Sequence, residues 1–314
     1  MSKRALSPTR PPWRLALAAA VTGGLAAATW WVPPGRVPAL PERPAELFRT
    51  PDRDAYARTL AAVVDDQGRV DYDQLIAHPA DLDAWYRSVV WLDPEAPERW
   101  DEPTRIAFWC NAYNGLTLLT IRENHPIGRS LFGTLTLAPA GSIRQIPRVW
   151  SRLHFQVATE PVTLDHIEHG ILRSRFTEPR IHVAINCASE GCPALRSEPY
   201  DGPGLEAQLD DQVRRMVNSP GRFLLDRDHG RVRLSRIFRW FATDFTAPER
   251  GYGEHPPAVR GALAFLARGL PPEDAAWLER GQYTVDWLPY DWHLNDSVGE
   301  DPYTARVPVG PDPL

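Results

Sequence analysis

Lysine is almost absent from this sequence. Lys3 is the only lysine, so the other 34 of the 35 basic residues are arginine. No lysine beyond residue 3 can serve as a Schiff-base nucleophile or as the lysine of a Walker motif. The chain also lacks a glycine-rich phosphate loop and a G-x-S-x-G nucleophile elbow. These absences argue against the familiar nucleotide-binding and serine-hydrolase classes.

The chain has no excess of positive charge. Its net charge is −5 and its isoelectric point is about 6.0, so it carries no basic footprint and no nucleic-acid partner is expected. Hydrophobic residues make up 43% of its 314 residues. That share is ample for a packed core and argues against a disordered chain.

Cysteine is scarce as well. The three cysteines are Cys110, Cys187 and Cys192. In an oxidising compartment Cys187 and Cys192 are able to pair as a disulfide, which leaves Cys110 over. That pairing competes with a catalytic role for Cys187, and the sequence leaves both alternatives open.

What the sequence does contain begins with an N-terminal apolar segment. Basic residues precede residues 15–32, a run of 18 residues without charge. The pattern predicts either a cleaved signal peptide or an uncleaved membrane anchor. It therefore predicts a periplasmic or other extracytoplasmic location, with membrane contact through this segment only. The expected organisation is a signal peptide or anchor over 1–32, a Pro-rich linker over 33–49, one domain over 50–295 and a Pro-rich tail over 296–314.

The folded region predicts one helix-rich α+β domain around a small sheet. Residues 104–123 form the clearest helix, and because this helix is apolar nearly all round it is expected to be buried. Asn111 and Asn114 lie three residues apart on it and so share a face. Buried amides need hydrogen-bond partners, so these two either tie loops to the core or line a site. Residues 181–186 read as a buried strand that ends at Cys187, and the Asn-containing helix is expected to pack near that strand end.

Other elements follow from periodicity and turn residues. Helices are expected over residues 52–64, 73–90, 166–174 and 205–218, a hairpin is expected to join 223–225 to 232–234, and 160–161 reads as a turn.

Three parts of the chain together resemble the domain-of-unknown-function 547 family. They are FWCNAYNGLT at 108–117, then TLDHIEHGILR at 163–173 with RIHVAINCASEGCP at 180–193, and finally LPYDWHLN at 288–295. The resemblance covers residues 55–295, and bacterial members of the family are often exported. The family itself has no established activity. Its motif residues fall here on Trp109, Asn111, Tyr113, Asn114, Ile167, Glu168, His169, Cys187, Ser189, Cys192, Tyr290, Asp291, Trp292 and Asn295.

The first functional hypothesis is a cysteine-dependent amide or peptide hydrolase, or an acyl transferase. Cys187 would be the nucleophile and His169 the base that forms its thiolate. A third group must fix the histidine tautomer. Glu168 is adjacent to His169 and points elsewhere on an ordinary helix, so Asn111, Asn114 and Asp291 are the better orienting candidates. The backbone N–H groups of residues 188–191 are candidates for an oxyanion hole.

Two other hypotheses stay open. One is a zinc site assembled from His166, His169, His182, Cys187 and Cys192, which are residue types that zinc prefers. The other is a non-catalytic binding or scaffold domain, in which Cys187 and His169 are structural. A peptide or protein is the expected ligand, and no cofactor is predicted.

Overall fold

The computed structural model describes residues 35–128 and 137–298. The predicted signal or anchor segment and nearly all of the predicted tail lie outside these residues. The chain divides into two units at Pro34–Gly35, and every described residue belongs to the second. Within the described ranges, no helix is long and apolar enough to cross a membrane.

Helices dominate the described chain. Their bounds are α1 Arg53–Val63, α2 Tyr72–Ala77, α3 Ala80–Val90, α4 Glu102–Asn124, α5 Val149–Arg152, α6 His166–Leu172, α7 Arg173–Arg175, α8 Ile181–Ala184, α9 Leu205–Val217, α10 Ile237–Trp240, α11 Pro257–Ala267 and α12 Pro272–Arg280. Helix α6 has π geometry, and short 3₁₀ turns cover Pro97–Arg99, Ile143–Gln145 and Ala242–Asp244.

Two small sheets complete the α+β fold. The strands are β1 Phe155–Val157, β2 Glu160–Val162, β3 Phe223–Asp226, β4 Arg231–Leu234 and β5 Thr284–Trp287. Strands β1 and β2 pair antiparallel, with Phe155 opposite Val162. In the second sheet β4 lies in the centre, antiparallel to β3 and parallel to β5. The predicted hairpin of 223–225 and 232–234 is confirmed.

Helix α4 is the buried helix that the sequence predicts. Asp101 caps it by accepting the N–H of Thr104 at 3.0 Å, which satisfies one of the free N–H groups of the first turn. Its residues from Ile106 to Ile121 are buried apart from Trp109 and Asn111. Trp85 of α3 packs so closely on Gly115 that a Cβ there would lie 2.1 Å from the indole. This close approach explains a glycine in the middle of a helix.

The described part of the predicted linker contacts the domain. The side-chain amide of Asn124 bonds both backbone groups of Arg36: it accepts the N–H at 2.8 Å and donates to the carbonyl at 2.9 Å. The indole N–H of Trp91 donates to the carbonyl of Pro41 at 3.0 Å. Residues 35–49 therefore run along the folded domain.

The prediction of a strand over 181–186 is wrong, because Ile181–Ala184 form the short helix α8. Every residue from 181 to 186 is buried, so the alternation of residue types in this segment does not indicate a strand with one buried face. Instead of a neighbouring strand, side-chain amides satisfy the backbone: Asn114 bonds the carbonyl of Ala184 and Gln212 that of Val183. The cysteine-bearing segment thus follows a helical turn, and α4 does pack against it.

Two smaller expectations also differ from the structure. Residues 160–161 lie in β2, and the turn is one step earlier at Ala158 and Thr159, which have φ of +49° and +67°. The helix predicted over 73–90 is broken between α2 and α3, since Pro79 cannot continue a helix begun before it.

Helix α8 lies between two hydrophobic clusters. Ile181 and Ala184 belong to a cluster built on α1–α4. Val183 belongs to a second cluster, built on α9, α11 and the three-stranded sheet. The segment that follows α8 is therefore anchored on both sides, and it carries the two cysteines.

Candidate functional site

The turn over residues 186–193 is shaped by its own hydrogen bonds. Asn186 accepts the N–H of Ala188 at 2.7 Å and donates to the carbonyl of Pro193 at 2.7 Å. Ala188 has a φ of +59°, a left-handed conformation that is uncommon outside glycine. The turn folds back on itself and brings Cys187 to Cys192.

The terminal segment closes over this turn. The N–H of Gly191 donates to the carbonyl of Asp291 at 2.8 Å, and that of Glu190 donates to the carbonyl of His293 at 2.9 Å. A Cβ on Gly191 would lie 3.0 Å from Cδ1 of Tyr290. The same Cβ would lie 2.9 Å from the backbone N of Asp291, so glycine at 191 lets the terminal segment approach this closely.

Cys187 and Cys192, called the dithiol below, are both free thiols. Sγ of Cys192 accepts the backbone N–H of Cys187 at 3.0 Å and the hydroxyl of Tyr290 at 3.1 Å. Sγ of Cys187 lies 3.3 Å from the Ser189 hydroxyl and 3.5 Å from that of Tyr290. The two thiols also perturb each other's pKa.

This asymmetry decides where the dithiol carries its negative charge. Burial alone would raise the pKa of Cys192, but hydrogen bonds from Cys187, Ser189 and Tyr290 outweigh burial and lower that pKa to about 6. The hydrogen bond to Cys192, and then burial, raise the pKa of Cys187 well above its usual value. The first proton is therefore lost from the pair with the thiolate on Cys192.

The dithiol lies in the wall of a cavity of about 210 Å³. Aromatic side chains form much of the lining: Tyr113, Trp150, Trp240, Phe241, Tyr290 and Trp292. Six acidic, histidine or cysteine side chains also line the cavity: Asp165, Glu168, His169, His182, Cys187 and Cys192. Three of these last six, Cys187, His169 and Glu168, are among the site residues that the sequence predicts.

Glu168 is a buried carboxyl beside the dithiol. Burial raises its pKa to about 7, against the opposing hydrogen bond from Tyr113, and the charge on Cys192 raises it further. Its position comes from the π geometry of α6, a form that is frequent at functional sites. Both Glu168 and its neighbour His169 line the cavity.

His169 is held by an arginine. Nη1 of Arg173 donates to Nδ1 of His169 at 2.9 Å. A guanidinium only donates, so Nδ1 accepts and the proton of the neutral ring sits on Nε2. Burial and then Arg173 lower the pKa of His169. Within the described chain, the partners of Cys187 Sγ are Ser189, Tyr290 and Cys192, so no hydrogen bond joins it to His169.

A second histidine has the carboxylate partner that His169 lacks. Nε2 of His182 donates to Asp244 at 2.7 Å, and Asp244 accepts two bonds from Arg173, at 2.5 and 2.9 Å. The His182 ring stacks on Phe241 with centroids 4.2 Å apart. Burial lowers the pKa of His182 to about 4 despite the carboxylate. His182, Asp244, Arg173 and His169 form one continuous network.

Asn111 and Asn114 bond the backbone of other segments. Asn111 bonds both backbone groups of Tyr200, at 2.8 and 2.9 Å. Asn114 donates to the carbonyl of Ala184 at 3.0 Å and accepts the N–H of Asn186 at 2.8 Å. The amides thus tie loops to α4, one of the two alternatives that the sequence leaves open, and Asn114 holds the start of the cysteine turn.

Asp291 accepts both the ring Nδ1 and the backbone N–H of His293, at 2.6 and 2.9 Å. Its backbone N–H and carbonyl pack against Gly191. The structure therefore joins Asp291 to His293, and His169 to Arg173.

Three of the four backbone N–H groups predicted to form an oxyanion hole at residues 188–191 are already engaged. The N–H of Ala188 is bonded to Asn186, and those of Glu190 and Gly191 are bonded to the terminal segment. Donors that are already engaged cannot receive a new oxyanion without breaking these bonds.

The zinc hypothesis also lacks a ligand set. In residues 35–128 and 137–298, no group of three or more His, Cys, Asp or Glu side chains is arranged to hold a metal ion. His182 is committed to Asp244, and His166 packs against Gly170.

Sequence reasoning missed several residues of the site. Tyr290 lies in the LPYDWHLN segment and so carried a signal, but its link to Cys192 required the fold. Tyr113 likewise lies in the FWCNAYN segment. Asp244 and Arg173 carried no signal of their own, since ordinary surface ion pairs look the same in a sequence.

Comparison with known proteins gives one match. Residues 97–217 match the family model described as "Protein of unknown function, DUF547". The match includes α4, α6 and the cysteine turn, whereas the LPYDWHLN segment lies beyond it. No curated protein and no solved structure matches the chain.

Proposed function

Residues 97–217 match the DUF547 family model, whose description assigns no activity, so we propose a function from the cavity itself: cysteine-dependent acyl transfer. The substrate class is an amide, peptide or activated ester. The acyl group passes to water or to another acceptor. The observation that carries the proposal is the sulfur of Cys192, which accepts two hydrogen bonds at 3.0 and 3.1 Å inside the aromatic cavity.

The proposal assigns the nucleophile to Cys192 in place of Cys187. A thiolate is the reactive form of cysteine, and donors around the sulfur stabilise it. Cys192 has those donors and a pKa of about 6. Cys187 has a raised pKa and supplies two of the donors, its N–H and its S–H.

The first step forms a C–S bond between Cys192 and the carbonyl carbon, and the carbonyl oxygen takes the negative charge. The sulfur then no longer needs its donors, so the Tyr290 hydroxyl becomes available to the oxyanion beside it. His169 also lines the cavity, and its Nε2–H is the second donor that we propose for the oxyanion. His169 acts here as a hydrogen-bond donor, because Arg173 holds its other nitrogen as an acceptor.

Glu168 supplies the proton for the leaving group. Its pKa of about 7 keeps a large fraction protonated at neutral pH, which is the requirement for a general acid. When the C–N bond breaks, the leaving amine takes this proton. The Glu168 carboxylate then takes a proton from the water that attacks the thioester, so the cycle returns both groups to their starting forms.

The test is acylation by p-nitrophenyl acetate followed by mass mapping. The expected result is one acetyl group on Cys192, lost in Cys192→Ala and retained in Cys110→Ala. Cys110 is a matched control because it is fully buried in α4. Glu168→Gln should slow turnover of a p-nitroanilide at least tenfold and leave the ester little changed, since p-nitrophenolate departs without a proton. If no acetyl adduct forms, the acyl-transfer proposal is wrong, and binding is the function left for the cavity.

The sequence adds a proposed setting. The apolar segment at residues 15–32 favours a domain that is exported or anchored and acts on a peptide or protein outside the cytoplasm. N-terminal sequencing of the protein from the envelope fraction of the cell tests this: a start near residue 29 indicates a cleaved signal, and a soluble cytoplasmic protein that keeps residue 1 contradicts it.

A further inference from the structure

We propose that the dithiol has a second activity: Cys187 and Cys192 exchange with disulfides and close reversibly into a disulfide of their own. This activity does not depend on acyl transfer. It follows from the placement of two thiols in one turn and one cavity.

The geometry supplies a preformed pair. The Tyr290 hydroxyl lies 3.5 Å from Sγ of Cys187 and 3.1 Å from Sγ of Cys192, and both thiols are free. Disulfide closure requires that the two residues face each other at short range. The turn brings the two residues to short range, since the N–H of Cys187 reaches Sγ of Cys192 at 3.0 Å.

The two sulfurs differ in the way that exchange needs. An attacking thiol works best when its pKa lies near the ambient pH, and a second thiol must resolve the intermediate. Cys192 has the donors that stabilise a thiolate. Cys187 is the more exposed of the two and keeps its proton, which suits it to the resolving role.

The steps balance as follows. The thiolate of Cys192 attacks a disulfide RS–SR, the S–S bond breaks, and RS⁻ leaves and takes a proton from water. Cys187 then gives its proton to solvent and attacks Sγ of Cys192, which expels the second RS⁻. The second RS⁻ takes up a proton from solvent, so the dithiol loses two protons and two electrons in all, and RS–SR is reduced to two RSH. A thiol in excess drives the same steps backwards.

The same pair then sets a condition on the proposed acyl transfer. A closed disulfide removes the thiolate of Cys192 and the S–H of Cys187 together. The oxidised protein should therefore take up no acetyl group from p-nitrophenyl acetate, and reduction should restore the uptake.

The experiment equilibrates the full-length protein with oxidised glutathione at pH 7. Intact mass and peptide mapping should show loss of two hydrogens and a bond between residues 187 and 192, reversed by dithiothreitol. Cys187→Ser should stop at one glutathionyl group on Cys192. Cys192→Ser should react at least tenfold more slowly at Cys187. Cys110→Ala should behave like the wild type, because its change lies away from the turn.

The outcomes separate the two proposals. Retention of both thiols in the wild type, or a glutathionyl adduct that never closes to a disulfide, would overturn the exchange activity. Both outcomes are measured on the wild-type protein, so they do not depend on whether a variant folds. A closed disulfide in a protein that cannot be acetylated when reduced would sustain exchange and end acyl transfer. The thermal unfolding temperature of each variant shows whether a slow reaction results from misfolding and not from the loss of the thiol.

Discussion

The backbone N–H of Cys187 donates to Sγ of Cys192 at 3.0 Å. This bond makes two chemically identical thiols unequal. One residue contributes a donor to the other, so the favourable site for negative charge is Cys192 although Cys187 is more exposed. The chemistry that we propose for the cavity follows from that inequality.

Tyr290→Phe should raise the apparent pKa of the dithiol. The hydroxyl donates to Cys192 Sγ at 3.1 Å, and a hydrogen bond to a charged group contributes about 1.5–3 kcal/mol. Its loss should raise the pKa of Cys192 by about 1–2 units. Thiolate absorbance at 240 nm against pH measures the change.

The matched control for that substitution is Tyr283→Phe. The Tyr283 hydroxyl bonds the carbonyl of Leu278 at 2.7 Å, so its loss removes a buried hydroxyl without touching the dithiol. The thiolate titration of this variant should coincide with that of the wild type. A similar shift in both variants would mean that Tyr290 acts through general stability alone.

Glu168→Gln should stabilise the folded protein in alkaline solution. The pKa of Glu168 is about 7 in the fold against 4.5 as its ordinary value, so above pH 7 the fold holds a buried charge that the unfolded chain holds in water. The amide removes that cost, and the expected gain is about 1–3 kcal/mol at pH 8.

In acid the stability difference between Glu168→Gln and the wild type becomes smaller. As pH falls from 7 toward 4.5 the folded wild type keeps the Glu168 proton while the unfolded chain does not, so the wild type gains stability and the difference shrinks. Urea unfolding at pH 8 and pH 5 measures it. A variant less stable than the wild type at pH 8 would contradict the burial of this carboxyl.

Asn114→Ala should destabilise the cysteine turn and the fold. The amide makes two buried bonds, to Ala184 and Asn186, and each buried group left unpaired costs about 1–3 kcal/mol. We expect a loss of about 2–5 kcal/mol in urea unfolding. The control is Asn124→Ala, whose bonds to Arg36 are exposed and whose loss should cost about 1 kcal/mol or less. Equal losses of unfolding free energy in the two variants would contradict a particular role for Asn114 in holding the cysteine turn.

The fold was predictable where local signals agreed. Helix α4 could be predicted because its long run of apolar residues indicates a single buried helix. Helix α9 and the β3–β4 hairpin carry equally clear periodicity. Helix α8 could not, since a segment buried on every side has no polar face to reveal its period. The pairing of β4 with β5 is equally hidden, because about fifty residues separate the strands and only tertiary packing selects the partner.

The sequence pointed to some residues of the cavity wall but not to the hydrogen bonds that connect them. The sequence brings Cys187, Glu168 and His169 into consideration, and all three line the cavity. It cannot show that Arg173 occupies Nδ1 of His169, or that Asp244 holds His182. Those bonds cross between distant elements, and hydrogen-bond partners of that kind leave no pattern in the spacing of residues.

The most direct test of the central claim is site-resolved alkylation by iodoacetamide across pH 4–10. Each cysteine is followed by peptide mapping in the reduced protein, with Cys110 as the buried internal reference. We expect alkylation of Cys192 to rise with an apparent pKa of about 6 and that of Cys187 to lag far behind it. Two cysteines that titrate together near the ordinary thiol pKa of about 8.5, or a lower pKa at Cys187 than at Cys192, would contradict the assignment of the thiolate.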